Sequence, residues 1–434
     1  MPIGARSGTI GATVRSPDQD SGLPTSVAPE ASPIPAQTTT TSQCGFYGAP
    51  YGPADVVYDD HTGQIFVSDS ETNEIYVISE TTKAVVRVIS FGSACVNPFG
   101  LAYDPNLGVV FAAETGGRAI AAISDESDSV VSTFPVAGNP WNMAYDSGRN
   151  ELFVTELDQG DISVLSLPSG ATLDTISEGW TEQPLGVAYV PAQGEVFVTN
   201  SLGNFSDTVS VISDTSDLPV ASIPVGCGAS PGTFGQIPFG VVSDPATGEV
   251  YASCETGNGL AAISAANHIQ VGTVPMNSSA TALALNEATG EIWAASPFTG
   301  QVFAVSVLTN SVVAQGPTGG FPFEGIAVDN RTGEVYVSNW KSENVTVFGP
   351  NASPIASIEL PPPASASFWS LPTAGWVLLV VALGGSGLFA AAVWMRSRGP
   401  PQHLDSTAGD DPRSRSPRGD GDGSADQGFP PKLG

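Results

Sequence analysis

Carboxylates are the chemically active side chain this sequence holds in quantity. There are 43 Asp and Glu against 14 Lys and Arg, three His and four Cys in 434 residues. Three oxygen donors recur at one place: the position two after a recurrent Pro carries Asp55, Asn142 and Glu324, where other copies carry Gly100, Gly186, Gly240 and Ala282. Two carboxylates and an amide are hard oxygen ligands of the kind that hold Ca2+ together with water. Little else points to catalysis. His61 and His268 fall in turns of separate copies and read as solvent-exposed turn residues, which argues against a His-driven triad or a His-based copper centre. The repeats hold no Cys-x-x-Cys-His haem site and no Gly-x-Ser-x-Gly elbow. A formal net charge of −29 leaves no basic stripe for nucleic acid and favours cations over polyanions. No cofactor is certain, Ca2+ is the candidate, and nucleic acid is excluded as a partner.

The elements that must position these donors repeat. Aligned on the Pro, seven copies begin at Pro53, Pro98, Pro140, Pro184, Pro238, Ala280 (Ala in the Pro position) and Pro322. Their second strands read QIFVSD (64–69), VVFAAE (109–114), ELFVTE (151–156), EVFVTN (195–200), EVYASC (249–254), EIWAAS (291–296) and EVYVSN (334–339). Each copy offers four strands rich in β-branched and aromatic residues, divided by turn signals such as Thr62-Gly63, Thr247-Gly248, Thr289-Gly290 and Thr332-Gly333. A period near 43 residues with four strands per unit predicts an all-β, seven-bladed β-propeller over 44–361. Burial on both sheet faces would account for the apolar strands VVRVIS (85–90) and ISVLSL (162–167). Small residues, among them Gly100, Ala102, Ala144, Gly186, Ala188, Gly240 and Gly325, suit first strands crowded about an axis. The aromatic residues Phe99, Trp141, Phe239 and Phe323, one after the Pro, are expected to pack within the blades.

The units resemble the YVTN-type β-propeller repeat of archaeal surface-layer and bacterial periplasmic proteins. FVTN (197–200) and YVSN (336–339) are closest to its central motif, and VSVIS (209–213) with IPVG (223–226) matches the strand and repeat end that follow. The resemblance covers about 53–361. It implies a propeller at the cell surface and leaves activity open, since related propellers include lactonases and quinoprotein dehydrogenases. Calcium-dependent lactonase propellers place acidic and amide ligands in the central channel, which is similar in kind to Asp55, Asn142 and Glu324.

The two ends belong to other regimes. Residues 1–43 are Ser, Thr, Pro, Gly and Ala without apolar periodicity, a disordered arm. Residues 362–372 read as a linker, and 373–395 as a transmembrane helix built on the uncharged run Trp376–Met395. Twenty such residues span about 30 Å as helix. Arg396 and Arg398 follow at once, which puts the disordered tail 396–434 in the cytoplasm and the propeller outside a single-pass membrane protein. The helix followed by Arg resembles archaeal surface-protein anchors. The start lacks the basic stretch and apolar run of a signal peptide, so the expectation is a product that begins upstream, the alternative being export by a route the sequence does not spell out.

An exported domain suits disulfides. Loops entering a blade lie on the same face as the hairpins between second and third strands. Cys44 with Cys95 and Cys227 with Cys254 can therefore meet, one of three possible pairings. Asn-x-Ser/Thr sequons stand at Asn204, Asn277, Asn330, Asn344 and Asn351 in expected turns, hairpins or short links. Trp180 and Trp340, in loops with polar neighbours, are candidate partner contacts. The leading reading is a membrane-anchored recognition or cell-envelope module that binds an extracellular protein or glycan without turnover. The alternatives are a calcium-dependent lactonase-like hydrolase or lyase working in the channel, and a structural surface-layer subunit.

Overall fold

The computed structural model describes residues 52–92, 95–177, 183–201, 207–226 and 237–362. The chain divides into Met1–Ala366 and Ser367–Gly434, and every described residue belongs to the first unit. The arm 1–43, the linker beyond residue 362, the candidate helix 373–395 and the tail lie outside the described residues, as do Cys44, Trp180, Asn204 and Cys227. No helix among the described residues is long and apolar enough to cross a membrane.

Seven antiparallel sheets of four strands follow one another along the chain, each paired in sequence order from first strand to fourth. Blade one is Pro53–Asp59, Gln64–Asp69, Glu74–Ser79 and Ala84–Ser90. All seven second strands coincide with the segments read from the repeat. Each first strand contacts those of its two neighbours, and that of blade seven contacts that of blade one. The result is a closed seven-bladed β-propeller.

Alternate residues of a strand point to opposite sheet faces, and here each face meets a different neighbour. In the second strand of blade one, Ile65 and Val67 pack against blade seven while Phe66 packs against blade two. Seven such interblade cores surround the axis. That is why the second and third strands, including 162–167, read as continuous apolar runs. The expectation for VVRVIS is corrected. It is the outermost strand of its blade, with Val86 and Val88 among the exposed large apolar side chains, because at the rim the neighbouring blades cover its faces only in part.

Hydroxyls of the repeat motif tie the blades together. Thr199 Oγ1 accepts from the amide of Gly186 in its own blade at 2.8 Å and donates to the Phe239 carbonyl of the next at 2.6 Å. Ser68 donates to the Phe99 carbonyl, Thr155 to that of Leu185, Ser253 to that of Thr281 and Ser338 to that of Ala54. Where the motif has Ala113 or Ala295, nearby Thr115 and Thr281 serve instead, donating to the carbonyls of Pro140 and Phe323. All seven boundaries are crossed this way, the last being the ring closure between blades seven and one. That closure also carries Lys83 paired with Glu334, and Arg331 paired with Glu80.

Candidate functional site

Asp, or Asn in blade six, caps the turn after the first strand in every blade except blade four. Asp59 Oδ1, for example, accepts the amides of His61 and Thr62. Counting back from that cap rather than forward from the Pro changes one assignment. Ile326 pairs with Val337 and Asp329 with Glu334 in blade seven, as Val56 pairs with Val67 and Asp59 with Gln64 in blade one. Pro322 is therefore one residue farther from its cap than Pro53 is. Gly325, not Glu324, occupies the position of Asp55, Asn142 and Gly100, and Glu324 occupies that of Ala54, Phe99 and Trp141. The glycines agree. A Cβ on Gly325 would meet the Ala54 carbonyl at 2.6 Å, and one on Gly100 would meet the Trp141 carbonyl at 2.3 Å. The shared position expected for Asp55 and Glu324 is thus corrected to adjacent positions on neighbouring blades.

The shift still brings both carboxylates to the axis. A cavity of about 180 Å3 is lined there by Asp55, Asn142, Glu324, Trp141, Phe239 and Thr281 together with first-strand backbone. Asp55 bridges two blades: Oδ1 accepts from the amide of Val56 and Oδ2 from that of Leu101, both at 2.8 Å. Asn142 Oδ1 accepts from the amide of Met143 at 2.7 Å. Glu324 reaches across the ring, where the Trp141 indole donates to its Oε1 at 3.0 Å. Its Oε2 is buried and has no partner among the described residues. Burial raises Asp55 to about 7, against the pull of its two backbone donors. Burial, and then the charge of Asp55, push Glu324 well above the usual carboxylate range, against the pull of the Trp141 donor.

Ala54, Phe99, Trp141, Leu185 and Phe239, each at most 7% exposed, form one apolar cluster at the Pro end of the axis. Phe99 and Trp141 lie 4.0 Å apart between ring centres, and Phe239 meets Phe323 edge-on at 5.3 Å. These rings pack between blades and across the axis, not within a blade as expected from sequence. Sequence reasoning also missed Trp141 as the partner of Glu324. The signal was the one Trp in a slot that otherwise holds Ala54, Phe99, Leu185, Phe239, Thr281 and Glu324.

The remaining expected residues fall elsewhere. His61 lies in its exposed turn, 3.5 Å from Asp125. His268 is not free in solvent: its Nε2 contacts both Glu195 oxygens, at 2.9 and 3.1 Å. Trp340 is half-buried, packed on Phe321 at 5.3 Å and on Phe323, with Lys341 over its ring, so it is less open than its polar neighbours suggested. Asn277, Asn330 and Asn351 are exposed, whereas Asn344 opens the third strand of blade seven with its Oδ1 accepting from Asn339. No described cysteine is free. Among the described residues no three His, Cys, Asp or Glu side chains are placed to hold a metal ion by themselves. A cation in the cavity would need Asn142, backbone oxygen or water beside the two carboxylates.

No protein-family model and no curated protein sequence matches the chain. Solved structures do, 1652 chains in all, which shows a common fold and leaves the chemistry open. One is hydrazine synthase of Kuenenia stuttgartiensis, 13% identical, with a TM-score of 0.59, covering 71% of this chain and 100% of the other. A streptogramin B lyase is 14% identical at a TM-score of 0.56, covering 69% and 94%. A chain of the mitotic checkpoint complex is 12% identical at 0.55, covering 74% and 96%. At these identities the likeness is one of fold.

Proposed function

We propose that this chain is an exported recognition module: a YVTN-type propeller, anchored by residues 373–395, that binds an extracellular or cell-envelope protein or glycan without turnover. The observation that carries this reading is the apolar cluster at the Pro end of the axis. Five blades contribute buried residues that pack across the axis there and narrow the channel, which favours binding through the loops over turnover inside it. The acidic charge, the exposed sequons Asn277, Asn330 and Asn351, and the uncharged run followed by Arg396 and Arg398 support a position outside the cell. The pairings Cys44–Cys95 and Cys227–Cys254 belong to the same reading. Non-reducing peptide mapping should recover both, and a different pairing would contradict them.

The test is quantitative binding of the purified full chain to isolated cell envelope. Saturable binding with no turnover of simple lactones in the presence of calcium is the expected result. Calcium-dependent lactone hydrolysis, or no binding at all, would overturn the reading.

A further inference from the structure

We propose that the axis cavity is a site for one Ca2+, held between the carboxylates of Asp55 and Glu324 with Asn142 and water completing its shell. The inference is independent of the recognition function. Its ground is the contrast between what this region holds and what the repeat requires. Gly100, Gly186, Gly240 and Gly325 occupy the axial position because the next blade's carbonyl lies where a Cβ would stand. Asp55 and Asn142 replace glycine in that crowded ring, and both line the cavity. Glu324, in turn, replaces an apolar or small residue of the neighbouring position.

Glu324 supplies the observation that points to a ligand. Its side chain lines the cavity, the residue is only 9% exposed, and Oε2 lacks a partner among the described residues. A buried polar atom left without a hydrogen bond is destabilising, and more so when charged. The Trp141 indole fixes the other oxygen, so the carboxylate is oriented rather than loose. Asp55 brings a second carboxylate from the adjacent blade. Two carboxylates held together ionise jointly only with a cation between them; without one the pair keeps a proton.

The donor chemistry selects the ion. All three side chains offer oxygen, and none offers the nitrogen or sulfur that zinc and copper sites use. The donors come from blades one, three and seven, an irregular set. Ca2+ accepts six to eight oxygens in flexible geometry, whereas Mg2+ demands a near-ideal octahedron. The cavity of about 180 Å3 leaves room for waters in the shell. A formal charge of −29 raises the local concentration of cations.

The test uses the full chain stripped with a chelator, with Tb3+ as a luminescent probe and Ca2+ as competitor. Excitation of tryptophan should give terbium emission that saturates at one ion per chain and is displaced by Ca2+. Trp141→Phe keeps both carboxylates and should lose most of that emission, because Trp141 contacts Glu324 directly. In calorimetry, Asp55→Asn and Glu324→Gln should each weaken Ca2+ binding by about tenfold or more. Emission undiminished in Trp141→Phe, no displacement by millimolar Ca2+, or unchanged affinity in Glu324→Gln would each overturn the site. The tryptophan variant reports location even if a carboxylate variant fails to fold.

Discussion

The boundaries between blades and the axis they enclose are built from the same first strands, yet their polar groups are treated differently. At each boundary a Ser or Thr hydroxyl donates to a carbonyl of the next blade, and in four blades it also accepts from an amide of its own. At the axis, Glu324 keeps an unpartnered oxygen beside Asp55. The repeat motif is therefore mortar: its Thr or Ser holds blades together. Departures from the repeat are where a ligand can be met.

The largest effects should come from the boundaries. Phe197 is fully buried between blades four and five. Phe197→Ala should cost about 3–5 kcal/mol in denaturant unfolding, and a loss under about 1 kcal/mol would break the claim that the faces between blades carry the stability. Thr199→Val keeps the volume but strips the hydroxyl from the Gly186 amide and the Phe239 carbonyl. It should cost about 1–3 kcal/mol by the same measurement. A neutral result would reduce the hydroxyl ring to a geometric coincidence.

Smaller effects should appear at single blades. Burial raises Asp69 from 3.8 to about 7, while its carboxylate caps the amides of Glu71 and Thr72. Between those two pH values the folded chain holds a proton that the unfolded chain releases. This group's contribution to stability therefore falls as pH rises through the window and stays low above it. Asp69→Asn places there the residue that Asn200 and Asn339 supply in blades four and seven, and should flatten that slope in melting curves taken at about pH 4.5 and pH 7.5. An unchanged slope would assign the proton elsewhere. Least of all, Lys83→Met at the ring closure should cost about 0–1 kcal/mol, because its pair with Glu334 is partly exposed. A larger loss would mean that the closure depends on its ion pairs more than on the Ser338 hydroxyl.

Most of the fold was legible because a propeller writes each blade separately. Seven second strands and the first strands at Pro53, Pro98, Pro140, Pro184 and Pro238 were readable from the repeat. The axis was less legible, for a definite reason. The Pro of blade seven has slipped by one residue while the cap Asp329 has not, so alignment on Pro misplaced Glu324. Asp55 and Asn142 both line the axial cavity. The contact between Glu324 and Trp141 joins residues 183 apart in sequence, and no local pattern announces it. The packing of Trp340 on Phe321 and Phe323, and of His268 on Glu195, is likewise tertiary. Polar neighbours in sequence say nothing of which ring or carboxylate folds over a side chain.

The proposed function rests on which side of a membrane the propeller stands. The most direct measurement is protease digestion of intact cells carrying the full chain with a tag after Gly434. The account predicts that fragments from residues 44–361 are released while a tagged 396–434 segment stays protected until the cells are opened. A propeller protected in intact cells, with the tag digested, would contradict it.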